Sequence, residues 1–281
     1  MPSIASCVFV MFAVAMIGSC ASPAQQFEHR ARALGLERLE ITGTRFSHFI
    51  YRKPGINLRG SQPDVLLVYL DGDGTPGAGR GAEPSVDPTP REPLALSLMI
   101  KSSQPGIYLT RPCYNREHHE SICDSALWTS ARYSYDVVGS STAALERYAR
   151  DHGNPQIILV GYSGGGALAM LMAPHVSQLK GVITIAANLD TDAWTAAHGY
   201  LPLVGSLNPA NLDESTVPAL HFLGERDTNV SSAMLDGYFA KHPHAEIQHI
   251  QSFDHRCCWV EEWPTLLEKA LRLIETHSLL Q

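Results

Sequence analysis

Basic residues are scarce in this sequence. Lys and Arg together number 21 against 28 Asp and Glu, the formal net charge is -7, and 17% of the residues are charged. The chain contains no Lys/Arg-rich run and no basic stripe interleaved with aromatic residues, so it lacks the electrostatic footprint of a nucleic-acid-binding protein. We therefore expect no nucleic-acid partner.

Signatures of a metal site, a phosphate-binding loop and a repeat architecture are missing as well. The adjacent His118 and His119 lack the spacing that converges two imidazoles on one ion, so we predict no metal site. The segment GYSGGGALAM, which begins at Gly161, has neither the lysine of a P-loop nor the spacing of a dinucleotide fingerprint. With 281 residues, 44% of them hydrophobic, the chain is expected to form one globular domain, placed at residues 37–281.

Short apolar runs alternate with segments of helical spacing. Runs such as IILV and VITIAA lack polar alternation, which is typical of strands buried on both faces. After one or two strands that begin near Leu39, we predict strands at VLLVYL (65–70), IYLT (107–110), IILVGY (157–162), VITIAA (182–187), ALHFL (219–223) and EIQHIQS (246–252). The alternation predicts an α/β fold, with a mainly parallel central sheet of about eight strands and helices on both faces.

The first twenty residues form an apolar segment that is too short to span a bilayer comfortably and ends in small residues before Cys20. This pattern predicts a signal peptide over 1–19. The sequence IGSC (17–20) resembles a bacterial lipobox, and that resemblance implies cleavage before Cys20, acylation of its sulfur, and a tether over 20–36. We expect an exported protein of the bacterial cell envelope, with cleaved secretion, a retained anchor or a buried segment as alternatives.

Four cysteines lie beyond this segment in two local pairs. An even number of cysteines in an oxidising compartment predicts disulfides. A bridge between Cys113 and Cys123 would close the loop CYNREHHESIC, which is worth about 2–3 kcal/mol in the chain-entropy model. The adjacent Cys257 and Cys258 can form a vicinal disulfide or bond to the other pair, so three connectivities and buried free thiols stay open.

Ser163 stands between Gly161 and Gly165, after a buried strand and before a helix. This placement predicts a sharp turn with strained backbone angles, in which larger side chains at the flanking positions would collide with the strand and helix. The motif GYSGG resembles the G-x-S-x-G signature of the α/β-hydrolase superfamily, and the resemblance extends over nearly all of the chain after about residue 37. We interpret Ser163 as a nucleophile; a plain flexible turn is the structural alternative.

The resemblance implies a histidine base and an orienting acid, in the chain order serine, acid, histidine. His255 follows the last predicted strand and precedes the closing helix, where the superfamily presents its base. Asp227, after the next-to-last strand, resembles the family's acid turn and would accept a hydrogen bond from Nδ1–H of the histidine. Asp190 is the main rival acid, and Asp192 and Asp254 are further candidates.

An oxyanion hole is the fourth requirement. One donor should be the amide of Gly164, directly after the nucleophile. The second should come from VYLDGDG (68–74), which stands where relatives have a His-Gly-x-Gly-like run, with Asp71 in place of the histidine. We predict the amide of Asp73 as this donor, with Gly72 and Gly74 allowing the backbone to approach closely.

The acidic residues of that loop depart from the family pattern. A carboxylate near a developing oxyanion is unfavourable unless it points away or is paired, and Arg80 and Arg111 are the candidate partners.

Residues 188–216 form a segment longer than an ordinary connection between a strand and a helix. Because it contains Trp194 and His198, we expect a small lid or a pocket wall, with Tyr162 beside the nucleophile also lining the pocket. A packed surface crossover is the alternative.

The resemblance implies attack by Ser163 on an ester, thioester or amide carbonyl, an acyl-enzyme, and hydrolysis by water without a metal or organic cofactor. The expected partners are a small-molecule or lipid-like acyl substrate and, through Cys20, a membrane. Acyl transfer and peptide cleavage would use the same triad. From another class, a non-catalytic envelope binding lipoprotein on a hydrolase scaffold stays open, as do the acyl and alcohol groups and the oligomeric state.

Overall fold

The computed structural model describes residues 21–54, 65–77, 83–116, 120–215 and 217–279. The predicted signal peptide, the lipidation site at Cys20, the histidines at 118 and 119, and Arg80 lie outside these residues.

Eight strands form one sheet: β1 (Glu37–Thr42), β2 (Ser47–Arg52), β3 (Val65–Leu70), β4 (Gly106–Leu109), β5 (Gln156–Tyr162), β6 (Leu179–Ile185), β7 (Ala219–Gly224) and β8 (Glu246–Ile250). The α-helices of the described residues are α1 (Pro23–Ala33), α2 (Leu94–Lys101), α3 (Tyr135–Asp151), α4 (Gly164–Met172), α5 (Thr191–His198), α6 (Asp236–Lys241) and α7 (Trp259–Leu279).

The spatial order of the strands is β1-β2-β4-β3-β5-β6-β7-β8. Strand β2 pairs antiparallel with both β1 and β4, and all other neighbouring strands are parallel. Parallel strands covered on both faces are apolar throughout, and the central strands β3 and β5 fit that rule because nearly all of their side chains are buried. The predicted α/β fold with a mainly parallel sheet of about eight strands is confirmed.

The sheet divides the core into two layers, because successive side chains of a strand point to opposite faces. On one face, Leu66 and Val68 of β3 belong to a cluster with residues of α3 and α4. On the other face, Leu67 and Tyr69 belong to a cluster with residues of α1, α2 and α7. Helices therefore cover both faces of the strands that carry the site.

The structure corrects the expectation of a plain tether over residues 20–36, because Pro23–Ala33 form helix α1. The side chain of Ser22 caps this helix in a capping box. Three apolar residues recur at helical spacing and are at most 3% exposed: Ala24, Phe27 and Ala31. Phe27 and Ala31 of this stripe belong to the core cluster that α2 and α7 form on one face of the sheet, so the folded unit begins ahead of residue 37. Within the described residues, no helix combines the length and the apolar character needed to cross a bilayer.

The carboxyl ends of the parallel strands meet at one edge of the sheet, and this edge collects the predicted site. The loop after β3 carries Asp73, and the turn after β5 carries Ser163. The loops after β7 and β8 carry Asp227 and His255. In open α/β sheets, this edge is where ligands bind.

Candidate active site

Ser163 occupies a strained turn between β5 and α4. Its backbone has φ 52° and ψ -123°, a conformation that residues with a Cβ rarely adopt. A Cβ added at Gly161 would lie 2.4 Å from the carbonyl oxygen of Gly165, and one added at Gly165 would lie 2.2 Å from that of Leu70. Only glycine fits at these two positions, which explains the flanking glycines of the motif and gives the turn the geometry of a nucleophile elbow.

Three side chains from separate loops form one hydrogen-bonded series. The Oγ of Ser163 lies 3.1 Å from Nε2 of His255, and Nδ1 of His255 lies 2.8 Å from Oδ2 of Asp227. The side chain of Asp227 is fully buried, and its other oxygen accepts the amides of Asn229 and Val230, each at 2.8 Å. The carboxylate is therefore fixed, and one of its oxygens points at the imidazole. This contact orients His255 so that its other ring nitrogen can take a proton from Ser163.

The rival aspartates have other contacts. Asp190 caps helix α5 by accepting the amides of Asp192 and Ala193, and Asp192 accepts from the side chain of Asn208. Asp254 accepts the two backbone amides of residues 256 and 257, each at 2.7 Å. Of the four aspartates considered from the sequence, the structure brings Asp227 to the imidazole and uses the others in caps and turns.

Tyr162 and Asn229 complete the surroundings of His255. The hydroxyl of Tyr162 donates to the backbone carbonyl of His255 at 3.0 Å, and the two ring centroids are 5.3 Å apart. Nδ2 of Asn229 lies 3.0 Å from Nε2 of His255, beside the serine. Tyr162 was predicted to line the pocket; sequence reasoning missed Asn229, because the acid motif that contains it does not mark its side chain.

The two predicted oxyanion donors belong to segments that meet beside the nucleophile. The amide of Gly164 opens helix α4, and within the described residues neither it nor the amide of Asp73 donates to a protein acceptor. A Cβ on Gly72 would come within 3.3 Å of the Ser163 Cβ, so the loop after β3 passes directly beside the serine. Gly74 has φ 66°, and a Cβ there would lie 2.0 Å from the backbone oxygen of Pro88, so the packing of this loop against residues 88–90 requires glycine.

The carboxylate of Asp73 is paired, which answers the concern about negative charge beside an oxyanion. Arg111 and Arg132 each donate to it at 2.8 Å, and the hydroxyl of Tyr133 lies 2.8 Å and 2.9 Å from its two oxygens. We call these four residues the Asp73 cluster. Burial raises the pKa of Asp73, but the charges of Arg132 and Arg111 and their hydrogen bonds hold it below its ordinary value.

Arg111 also ties this cluster to the nucleophile turn, since its Nη2 donates to the backbone carbonyl of Gly164 at 2.9 Å. Arg111 was predicted as a candidate partner for the acidic loop and pairs with Asp73. Arg132 and Tyr133 were missed as members of the site, because they lie 59 and 60 residues from Asp73 in the chain and no local motif marks them.

Asp71, the residue in place of the family's histidine, has a different environment. Its Oδ1 accepts the amide of Gly72 at 2.9 Å, and its buried Oδ2 has no hydrogen-bond partner among the described residues. Burial raises the pKa of Asp71 to about 7, although the backbone amide of Gly72 favours the charged form. Burial thus favours the neutral form of this carboxyl.

The site opens into a cleft of about 940 Å³. Four of the five predicted pocket residues line it: Gly72, Gly74, Tyr162 and Trp194. The segment that we expected to form a lid or pocket wall supplies an apolar side of the cleft, with Tyr200 and Leu203 beside Trp194. His198, the fifth, lies behind this wall, where its ring stacks on Tyr200 and its Nε2 donates to the carbonyl of Asn229 at 2.8 Å.

The cysteines beyond the apolar segment form two local disulfides. Cys113 is bonded to Cys123 with an S–S distance of 2.02 Å, and Cys257 is bonded to its neighbour Cys258. Of the alternatives left open by the sequence, the structure has the two local bridges rather than crossed bridges or free thiols. The second bridge lies directly after His255 in the loop that carries the base.

A strained serine at a strand-to-helix turn, facing a histidine and a buried carboxylate at the carboxyl edge of a mainly parallel sheet, defines an α/β-hydrolase. The model of the family described as "Serine hydrolase (FSH1)" matches residues 111–255, more than half of the chain. The chain belongs to this family and is a serine hydrolase. The matched segment includes Ser163, Asp227 and His255 but not the loop that carries Asp73.

Solved structures share the fold at low sequence identity. An esterase of Pyrococcus furiosus is 14% identical with a TM-score of 0.59, over 87% of this chain and 93% of its own. A putative hydrolase of Agrobacterium vitis is 15% identical with a TM-score of 0.56, over 85% and 98%. An esterase domain of a Rhodothermus marinus protein is 13% identical with a TM-score of 0.53, over 84% and 96%. The comparison with curated proteins produced no match.

Proposed function

We propose that this serine hydrolase cleaves a carboxylic ester through an acyl-enzyme on Ser163. The observation that carries the proposal is the hydrogen-bonded series from Ser163 through His255 to Asp227, which opens into the cleft. A serine alcohol is a poor nucleophile at neutral pH, and a neighbouring imidazole that takes its proton makes attack on a carbonyl feasible.

The first half of the reaction forms the acyl-enzyme. Nε2 of His255 takes the hydroxyl proton of Ser163 while Oγ bonds to the carbonyl carbon, and the amides of Gly164 and Asp73 donate to the resulting oxyanion. The bond from carbon to the alcohol oxygen then breaks, and His255 returns the proton to the leaving alcohol. Asp227 keeps the imidazole in one tautomer and stabilises its charged form.

In the second half, a water gives a proton to His255 while its oxygen bonds to the acyl carbon. The bond from that carbon to Oγ of Ser163 then breaks, His255 returns the proton to Oγ, and the acid is released. The same steps apply to a thioester or an amide. The apolar wall of Trp194, Tyr200 and Leu203 supports a small-molecule or lipid-like acyl substrate, because such a wall contributes mainly by burying apolar surface.

A fluorophosphonate probe tests the proposal on the purified protein. The wild-type chain should be labelled at Ser163, with Ser163→Ala unlabelled and His255→Ala strongly slowed. Another serine that lines the cleft, the exposed Ser130, provides the matched control, because Ser130→Ala should label like the wild type. Absence of labelling in the wild type, or equal labelling of Ser163→Ala, would overturn the acyl-enzyme. A screen of p-nitrophenyl esters of increasing chain length then defines the acyl group.

We also propose that the chain is exported and held at a membrane of the bacterial envelope by a lipid on Cys20. The lipobox-like sequence IGSC and the oxidised cysteine pairs support this location, since disulfides persist in oxidising compartments. Metabolic labelling with an alkyne-bearing fatty acid in a bacterial host should mark the wild type and a Cys7→Ala variant. A Cys20→Ala variant should stay unlabelled. An unlabelled wild type found in the medium would favour cleaved secretion instead.

A further inference from the structure

The side chain of Asn229 touches the atom of His255 that exchanges protons. Its Nδ2 lies 3.0 Å from Nε2, and Oγ of Ser163 lies 3.1 Å from the same atom. Because Nδ1 of His255 faces the carboxylate of Asp227 at 2.8 Å, the ring proton of the neutral imidazole is on Nδ1 and Nε2 carries the lone pair. The amide and the serine hydroxyl therefore both donate to one acceptor.

The backbone of Asn229 is fixed from both sides. Its amide donates to Oδ1 of Asp227 at 2.8 Å, and its carbonyl accepts from Nε1 of Trp194 at 3.0 Å and from Nε2 of His198 at 2.8 Å. The side chain also lines the cleft. Asn229 thus contacts the acid loop, the base and the pocket wall. These contacts together fix its side chain beside Nε2 of His255.

The two donors to Nε2 behave differently during the reaction. In the free enzyme, the hydroxyl of Ser163 supplies a hydrogen bond of its own. In the acyl-enzyme, Oγ is part of an ester and has no hydrogen to donate, so of the two side chains within hydrogen-bond distance of Nε2 Asn229 is the one that still carries a donor. The water that attacks the acyl group must lie within about 3 Å of Nε2, and it is then a direct neighbour of the Asn229 amide.

Given the proposed function, we propose that Asn229 is the positioning residue for deacylation: its amide donates to the oxygen of the attacking water, and that water gives its proton to Nε2 of His255. Acylation depends on Asn229 less, because in that half of the reaction the hydroxyl of Ser163 itself donates to Nε2 and no water takes part. Loss of the amide should therefore slow the second half selectively, which a general loss of structure would not do.

Two isosteric variants test this role, Asn229→Leu and Asn229→Asp, since both remove the N–H donor while one is apolar and the other charged. The acyl-enzyme is formed with p-nitrophenyl acetate, and its decay is followed by intact-protein mass spectrometry. Acylation is measured separately from the rate of p-nitrophenol release in the burst and from the rate of fluorophosphonate labelling.

We expect both variants to deacylate about tenfold more slowly, the factor for one lost hydrogen bond of about 1.4 kcal/mol, with acylation changed less than threefold. The same substitutions at Asn211, an exposed asparagine that contacts Lys241, should change neither rate. Equal slowing of both halves, unchanged deacylation, or slowing by Leu alone would overturn the proposal. Failure of the wild type to form an acyl-enzyme would instead overturn the proposed function.

Discussion

Asp227 and Asp73 are both buried carboxylates in loops at the same edge of the sheet, yet the groups that hold them lie at different distances along the chain. Asp227 accepts backbone amides two and three residues further on. Asp73 is held by side chains 38, 59 and 60 residues away. The acid is thus placed by a local turn, whereas the oxyanion loop is placed by a buried charge cluster.

This difference has a consequence for function. A turn formed by neighbouring residues needs little help from the rest of the fold, so substitutions of Asp227 should affect chemistry more than stability. In the buried Asp73 cluster, removal of a guanidinium takes away charge-assisted hydrogen bonds and leaves buried acceptors unpaired, so its substitution should affect stability first. Three predictions test this contrast.

The largest effect is expected for Asp227→Asn. The amide retains an oxygen for the backbone amides of residues 229 and 230, but it no longer presents a carboxylate to Nδ1 of His255. We expect kcat for p-nitrophenyl ester hydrolysis to fall by about 10⁴, with a change of about 1 kcal/mol or less in the free energy of unfolding. Initial rates and urea unfolding measure both quantities.

Asp190→Asn provides the control for that substitution, because Asp190 caps α5 and does not contact His255. It should retain most of the activity. The assignment of the acid would be wrong if Asp227→Asn kept more than a tenth of the wild-type kcat, or if Asp190→Asn lost as much.

Arg111→Met should have the next largest effect. It leaves Asp73 with a single guanidinium in a buried setting and removes the hydrogen bond to the carbonyl of Gly164. Because these hydrogen bonds involve a charged group, we expect a loss of about 2–3 kcal/mol in the free energy of unfolding, measured in urea, together with reduced activity. Arg272→Met removes an exposed ion pair with Glu268 and should cost about 1 kcal/mol or less. Equal losses in the two variants would remove the distinction between the buried cluster and a surface pair.

The smallest effect concerns Asp71→Asn and depends on pH. Because burial raises the pKa of Asp71 from an ordinary value of 3.8 to about 7, the native state binds more protons than the unfolded state between these values. The wild type should therefore lose stability as the pH rises through this window. We expect the variant to be more stable than the wild type at pH 8 and about equally stable at pH 4.

Urea unfolding at the two pH values measures this difference, and Asp73→Asn serves for comparison. Since paired arginines lower the pKa of Asp73, its removal should destabilise the chain at pH 8. If Asp71→Asn were destabilising at pH 8, the burial of Asp71 would not be the dominant effect, because a partner would have to stabilise its charged form.

Local sequence patterns made Ser163, Asp227 and His255 predictable. The glycines that flank Ser163 are required by the close packing of a single turn. Asp227 and His255 follow strands that are recognisable as apolar runs in the sequence. Helix α1 was missed for the opposite reason: Phe27 and its two alanines form a short stripe whose burial depends on a surface built by β2, β4 and α2.

The sequence by itself determined the sheet, the serine turn, and the order of serine, acid and histidine, because each depends on the periodicity or the size of residues that are close together in the chain. Only the tertiary structure decided how Asp73 is neutralised, which oxygen of Asp71 is left unpaired, and that Asn229 reaches Nε2 of His255. Those environments bring together residues that are tens of positions apart in the chain. Charge pairing and desolvation depend on distances in space, and only the assembled sheet and its loops set those distances.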